Sequence, residues 1–181
     1  MKPRIITALF ALGALMAVAG GVALATADTS PYRNALERRA PRCRAHYRRP
    51  HFTDYPALHR VMVPRRPTRM LVCRYARPNA KDPRALEGSG LISRGKPLHR
   101  VVRAYDALPK PSSGPISCPP DDGREITIRF DYRHRPNALL RQDVTGCRIG
   151  TNGHRNVTAL NNRGRRLLRL LRKLSLSYRT G

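Results

Sequence analysis

Ile126-Thr127-Ile128-Arg129-Phe130-Asp131-Tyr132 alternates apolar and polar side chains without interruption. A period of two predicts a half-buried strand, with Ile126, Ile128, Phe130 and Tyr132 turned to a core and Thr127, Arg129 and Asp131 turned to water. Such a strand needs partners on both edges, and the flanking sequence supplies them. Downstream, Pro136-Asn137 reads as a turn into a second strand that ends at Val144-Thr145-Gly146-Cys147-Arg148-Ile149. Asn152-Gly153 is a strong hairpin signal and returns the chain through Val157 and Ala159.

Beyond the hairpin, Gly164 to Leu176 reads as an amphipathic helix. At 100° per residue, Leu167, Leu168, Leu170, Leu171 and Leu174 share one arc, and Arg165, Arg166, Arg169, Arg172 and Lys173 share the opposite one. Upstream, Cys118-Pro119-Pro120-Asp121-Asp122-Gly123 reads as a constrained turn, reached through a stiff connection from Pro109 to Pro115. Before that connection, Leu98, Val101, Val102, Tyr105 and Leu108 recur at helical spacing, with Pro97 suited to the first turn and Pro109 ending the run. Arg69-Met70-Leu71-Val72-Cys73-Arg74-Tyr75 is a compact apolar run between Pro67 and Pro78, and predicts a strand covered on one or both faces. The stretch from that strand to Gly95, rich in Asn, Asp, Pro and Gly, reads as a loop. The expected fold class is α+β: a small antiparallel sheet, β-α-β-β-β-α along the chain, with two helices on one face.

A chain of 181 residues has room for one core. The expected division is a targeting segment at 1–27, a basic, Pro/Arg-rich irregular arm at 28–67, the α+β domain at 68–176 and a tail at 177–181. Lys2 and Arg4 precede the apolar run Ile5 to Val22, and Ala23-Leu24-Ala25 or Ala25-Thr26-Ala27 supplies a small-residue cleavage pattern. Removal of this signal peptide is the expectation, and an uncleaved signal anchor is the alternative. The arm shows no sustained period, and clusters such as Glu37-Arg38-Arg39-Ala40-Pro41-Arg42 and Pro64-Arg65-Arg66-Pro67 suggest solvated backbone.

Cys43, Cys73, Cys118 and Cys147 make an even count behind an export signal, so paired thiols on the oxidising side of a membrane are expected. Four cysteines allow three connectivities. Cys43 with Cys73 and Cys118 with Cys147 are favoured, each closing a loop of about 30 residues that would stabilise by roughly 3 to 4 kcal/mol.

Three strings stand out together: Leu71-Val72-Cys73-Arg74-Tyr75, then Ser117-Cys118-Pro119-Pro120-Asp121-Asp122-Gly123, then Thr145-Gly146-Cys147-Arg148-Ile149-Gly150-Thr151-Asn152-Gly153-His154. This pattern resembles uncharacterised exported proteins of high-GC Gram-positive bacteria, over about Thr68 to Leu176. The resemblance implies an extracytoplasmic address and a compact domain. It transfers no catalytic residue, and the basic side chains of the last helix lie outside it.

Charge narrows the function classes. Lys and Arg number 36 against 11 acidic side chains, a net +25, and such a field attracts anionic polymers and surfaces. Arg165, Arg166, Arg169, Arg172 and Lys173 are the expected contacts to anionic cell-envelope polymer or lipid headgroups. Aromatic side chains are few, which argues against base stacking and makes nucleic acid the weaker partner. An alternative is inhibition of an exported protease through the loop Pro115 to Pro120 around Cys118, which proline and a disulfide would hold extended. An unidentified exported protein partner and a secreted enzyme are the remaining readings. Asp121 and Asp122 read as turn residues, and His154 as an exposed hairpin residue. Cys43, His46, His51 and Cys73 match no established zinc spacing, and no nucleophile context or Cys-x-x-Cys is present, so neither cofactor nor metal is expected.

Overall fold

The computed structural model describes residues 41–176, apart from 94 and 116. The signal segment 1–27, the first part of the arm and the tail 177–181 lie outside the described residues. The chain runs α1 (Pro56–Arg60), β1 (Arg69–Tyr75), β2 (Leu86–Ser93), α2 (Lys96–Asp106), β3 (Glu125–Asp131), β4 (Ala138–Asp143), β5 (Ile149–Thr151), β6 (Asn156–Thr158) and α3 (Asn162–Leu176). The strands form one antiparallel sheet in the order β2-β1-β3-β4-β5-β6. The α+β class, the disulfide ties and the helices on one face are as the sequence predicts. The sheet has six strands where four were expected.

β3 is central, as its alternation requires. Its inward residues meet partners of the same parity: Ile126 opposite Arg74 and Gln142, Ile128 opposite Val72 and Leu140, Phe130 opposite Met70 and Ala138. Leu98, Val101, Val102 and Tyr105 of α2 and Leu167 and Leu171 of α3 close over this face. Each such fully buried aliphatic or aromatic side chain is worth about 1.5 to 3 kcal/mol. The opposite face carries a smaller cluster of Leu71, Cys73 and Tyr75, covered by Cys43 and by Tyr47, whose ring meets Tyr75 edge-on at 5.5 Å.

Two expectations change here. The stretch read as a loop before Gly95 contains β2, which pairs with β1 from Arg69 opposite Ser93 to Tyr75 opposite Leu86. Its Gly88 and Gly90 look like loop residues because the C-terminal turn of α3 rests on them. A Cβ at Gly90 would lie 2.0 Å from the Leu174 carbonyl oxygen, and one at Gly88 would lie 2.6 Å from that of Ser175. Glycine in a strand often marks such a close backbone approach. The expected single strand after Pro136 is two: β4 ends at Asp143, and a turn through Gly146 starts β5 at Ile149.

The arm also changes. The compact unit begins at Pro41, not Thr68. Residues 41–67 are mostly irregular, as expected, but they are not a solvated arm: Leu58, Met62 and Val63 lie in the main core. They are fastened by Asn152, fully buried, whose Nδ2 lies 3.1 to 3.2 Å from the carbonyls of Leu58, Val61 and Met62. The Asn152-Gly153 turn is thus a hairpin, as predicted, and also a clamp on the preceding segment.

Both favoured disulfides are present. Cys43–Cys73 ties the 43–47 segment to β1, with Cα atoms 5.7 Å apart, and Cys118–Cys147 joins the turn before β3 to the turn before β5, with Cα atoms 4.9 Å apart. Paired thiols fit an oxidising, extracytoplasmic environment. No helix among the described residues is long and apolar enough to cross a membrane.

Candidate functional site

The leucines of α3 decide where its arginines stand. Leu167 and Leu171 are fully buried, which rolls Arg165, Leu168, Arg169 and Arg172 toward the strand ends. Asn161 fixes the start of the helix, its Oδ1 accepting the Gly164 N–H at 2.8 Å. Between α3 and the sheet lies a groove of about 510 Å³. Arg165, Arg169 and Arg172 form one wall, and Arg74, Arg124 and Arg148 form the other. Ile126, Val144 and Leu168 supply apolar surface, and Glu87 is the one acidic residue of the lining.

Each sheet-side arginine is placed by a different local rule. Arg74 has the parity of Met70 and Val72, so it projects from the helix-covered face of β1 at the end where the cover stops. Its Nε lies 3.5 Å from Glu87. Arg124 precedes β3 and is held by Asp122, which accepts from its Nε at 2.7 Å. That guanidinium holds the Asp122 carboxyl well below the usual carboxylate range. Arg148 sits in the turn before β5 with φ at 52°, a left-handed conformation that costs a non-glycine residue about 1 kcal/mol. Three hydrogen bonds hold it there: its carbonyl accepts from Gln142 Nε2 at 2.9 Å and from the Ala159 N–H at 3.0 Å, and its own N–H donates to Thr145.

The positive charges are unevenly compensated. Arg165 donates to the Leu160 carbonyl and to Asn162, and Arg124 and Arg74 have acidic neighbours. Among the described residues, the side chains of Arg148, Arg169 and Arg172 make no hydrogen bond or ion pair. The Arg148 Nε is buried all the same. A buried charged donor without an acceptor costs more than the 1 to 3 kcal/mol of a neutral one.

No family model, no curated protein and no solved structure matches this chain. The chemistry is therefore read from the groove and its surroundings.

Of the residues expected to contact an anionic surface, Arg165, Arg169 and Arg172 meet in the groove. Arg166 does not: it points to the other flank of α3, into a cleft shared with Arg100, Arg163 and Leu170. Lys173 is exposed outside both. Sequence reasoning missed Arg74, Arg124 and Arg148. The signal for Arg74 was its parity, a charge in register with two core residues of the same strand. The Asp121-Asp122 pair is a turn, as expected. Gly123 donates to Asp121 Oδ1, and the Thr145 hydroxyl stands 2.7 Å from Asp121 and 2.6 Å from Asp122, donating to one at a time. The Cys118 loop is anchored beside this turn, with the Gly146 N–H donating to the Pro120 carbonyl.

Proposed function

We propose that this chain is an exported, non-enzymatic binding protein, and that its ligand is a phosphate-bearing anion of the cell envelope, a polymer repeat or a lipid headgroup, taken into the groove beside α3. The observation that carries the reading is Arg148. A side chain with a withdrawn, unpartnered Nε lines the same groove as Arg169 and Arg172, which are likewise unpaired among the described residues. Planar guanidinium forks suit phosphate oxygens, and several around one groove can share a single diester or monoester. The apolar patch of Val144 and Leu168 gives the carbon chain next to that phosphate a surface to rest on. The two disulfides fit the oxidising side of a membrane, and the charged-then-apolar start of the chain fits export.

The test is retention at 0.15 M salt, a condition that screens diffuse attraction beyond about 8 Å. The protein is mixed in turn with phosphatidylglycerol vesicles, with phosphatidylcholine vesicles and with immobilised polyglycerol phosphate. Retention on phosphatidylglycerol or on the polymer, lost in the Arg165→Gln, Arg169→Gln, Arg172→Gln triple variant with unchanged melting temperature, is the expected result. Which of the two supports retains the protein separates headgroup from polymer. Equal retention of parent and triple variant would remove the groove from the account.

A further inference from the structure

At the other end of β5 from Arg148, the Asn152 clamp creates a second constellation. Asn152 Nδ2 grips the end of α1 while its Oδ1 accepts the N–H groups of His154 at 3.0 Å and Arg155 at 2.8 Å. The turn is pressed onto the 41–67 segment, where Phe52 leaves no room for a side chain at Gly153, whose φ is 91°. One consequence is that His154, on the hairpin, stands against His59, on α1. Their ring centroids are 4.0 Å apart, and the His154 side chain is only 20 % exposed although its turn is open to solvent.

Both imidazoles turn Nε2 to one carboxylate oxygen. Asp54 Oδ1 lies 2.7 Å from His59 Nε2 and 3.3 Å from His154 Nε2, and one ligand atom from each residue lies within 4.8 Å of the others. We infer that Asp54, His59 and His154 form a binding site for a divalent transition-metal ion of the zinc class. Ligand bonds of about 2.0 to 2.2 Å in a tetrahedral site put donor atoms roughly 3.3 Å apart, which the His154 contact already satisfies. The His59 contact has to open by about half an ångström and the two imidazoles, now 4.0 Å apart at their centroids, have to splay; Asp54, 72 % exposed, is free to swing. Two imidazoles and one carboxylate select zinc or copper over calcium or magnesium, which take oxygen ligands. Three protein ligands leave at least one position for water or a further ligand.

Without metal, the imidazoles meet Asp54 through Nε2–H. Metal binding takes the Nε2 lone pairs, so those protons move to Nδ1 or, from a charged ring, leave to solvent. The ligands come from two segments joined by Asn152, so an ion here would also fasten the 41–67 segment to the β5–β6 hairpin. The chain's positive field opposes a cation, and its distant part is screened beyond about 8 Å at 0.15 M salt.

The experiment titrates the disulfide-bonded full chain with zinc chloride at 0.15 M salt by isothermal calorimetry, with cobalt chloride as a spectroscopic substitute. One zinc per chain is expected, with a rise in melting temperature on saturation. His59→Ala and His154→Ala should each weaken binding at least tenfold, while His46→Ala, beside Asp82, and His99→Ala, on α2, leave it unchanged. Metal-free melting curves of the variants separate a lost ligand from a lost fold: a cooperative transition in His59→Ala and His154→Ala assigns the weakened binding to the missing imidazole. Zinc bound equally well by His59→Ala and His154→Ala, or no heat and no cobalt spectrum at millimolar metal, would overturn the site. Neither result bears on the arginine groove.

Discussion

Two arginine-rich surfaces of this protein, the groove beside α3 and the outer face of α2, differ in how much of their charge is withdrawn from water. The outer face of α2 presents Lys96, His99, Arg100 and Arg103 with Arg65 and Arg66 beside a cleft of about 990 Å³, wider than the groove at α3. Both surfaces even contain an arginine with positive φ, Arg66 at 62° and Arg148 at 52°. The difference is what stands behind the charge. On the α2 face these basic residues are all exposed, as Arg124, Arg165, Arg169 and Arg172 of the groove also are, and there water solvates each charge and salt screens it. In the groove, Ile126, Val144 and Leu168 exclude water from part of the wall, and the Nε atoms of Arg74 and Arg148 are withdrawn from solvent. A high charge count draws anions to the whole molecule; in the function proposed above, withdrawn donors around a shaped wall select one place.

The comparison breaks most completely if α3 is detached. Leu171→Asp would put an unpaired carboxylate at a fully buried position, costing about 3 to 5 kcal/mol, a large share of a small domain's stability. Loss of the cooperative melting transition, by circular dichroism, is the expected outcome. Gly90→Ala is a gentler version: the new Cβ would collide with the Leu174 carbonyl, shift the end of α3 and cost about 2 kcal/mol by urea denaturation, with weaker anion retention.

These two sites also mark the limits of reading the sequence alone. The leucine stripe of α3 and the alternation of β3 were legible because burial on one face imposes a period, and the four cysteines were legible through loop length and compartment. β2 was not legible, because Gly88 and Gly90 are selected by the close approach of a helix 84 or more residues further on, which no local pattern reports. The core role of Leu58, Met62 and Val63 was hidden among prolines and arginines, since their packing partners are distant in the chain and the buried Asn152 that holds the carbonyls of Leu58, Val61 and Met62 lies about 90 residues away. Half of the groove was visible as the polar arc of α3. The other half comes from a strand end, a pre-strand residue and a turn, brought together only by the sheet.

Charge removal sharpens the comparison directly. Lys96→Gln, Arg100→Gln, Arg103→Gln removes as many charges as the α3 triple variant. It should lower retention on phosphatidylglycerol vesicles by much less than the α3 variant, for which each lost contact is worth up to about 1 kcal/mol. Equal losses would mean that net charge alone drives binding.

A smaller effect is expected on the other face of the sheet, where Asp143 stands beside Arg141. Burial pushes the Asp143 carboxyl up to about 6, with nearby Glu125 and Asp121 adding to the rise and Arg141 opposing it. The folded state therefore binds more protons than the unfolded state between about pH 4 and 6, and this group's contribution to stability falls as pH rises through that window. Asp143→Asn should gain stability relative to the parent from pH 4 to 6.5, by about 1 kcal/mol after allowance for solvent screening. A gain independent of pH in urea titrations would contradict this. Smallest of all, Tyr105 buries a hydroxyl with no partner among the described residues, and Tyr105→Phe should leave stability unchanged or raise it by up to about 1 kcal/mol.

The central claim, that the anion seats in the groove and not over the surface at large, is most directly tested by nuclear magnetic resonance of the arginine Nε–H groups during titration with glycerol phosphate oligomer at 0.15 M salt. The account predicts saturable shifts at one site per chain for Arg148, Arg169 and Arg172, with Arg100 and Arg103 nearly still. Small, unsaturating shifts of similar size on both surfaces would show diffuse attraction to a charged molecule and contradict the account.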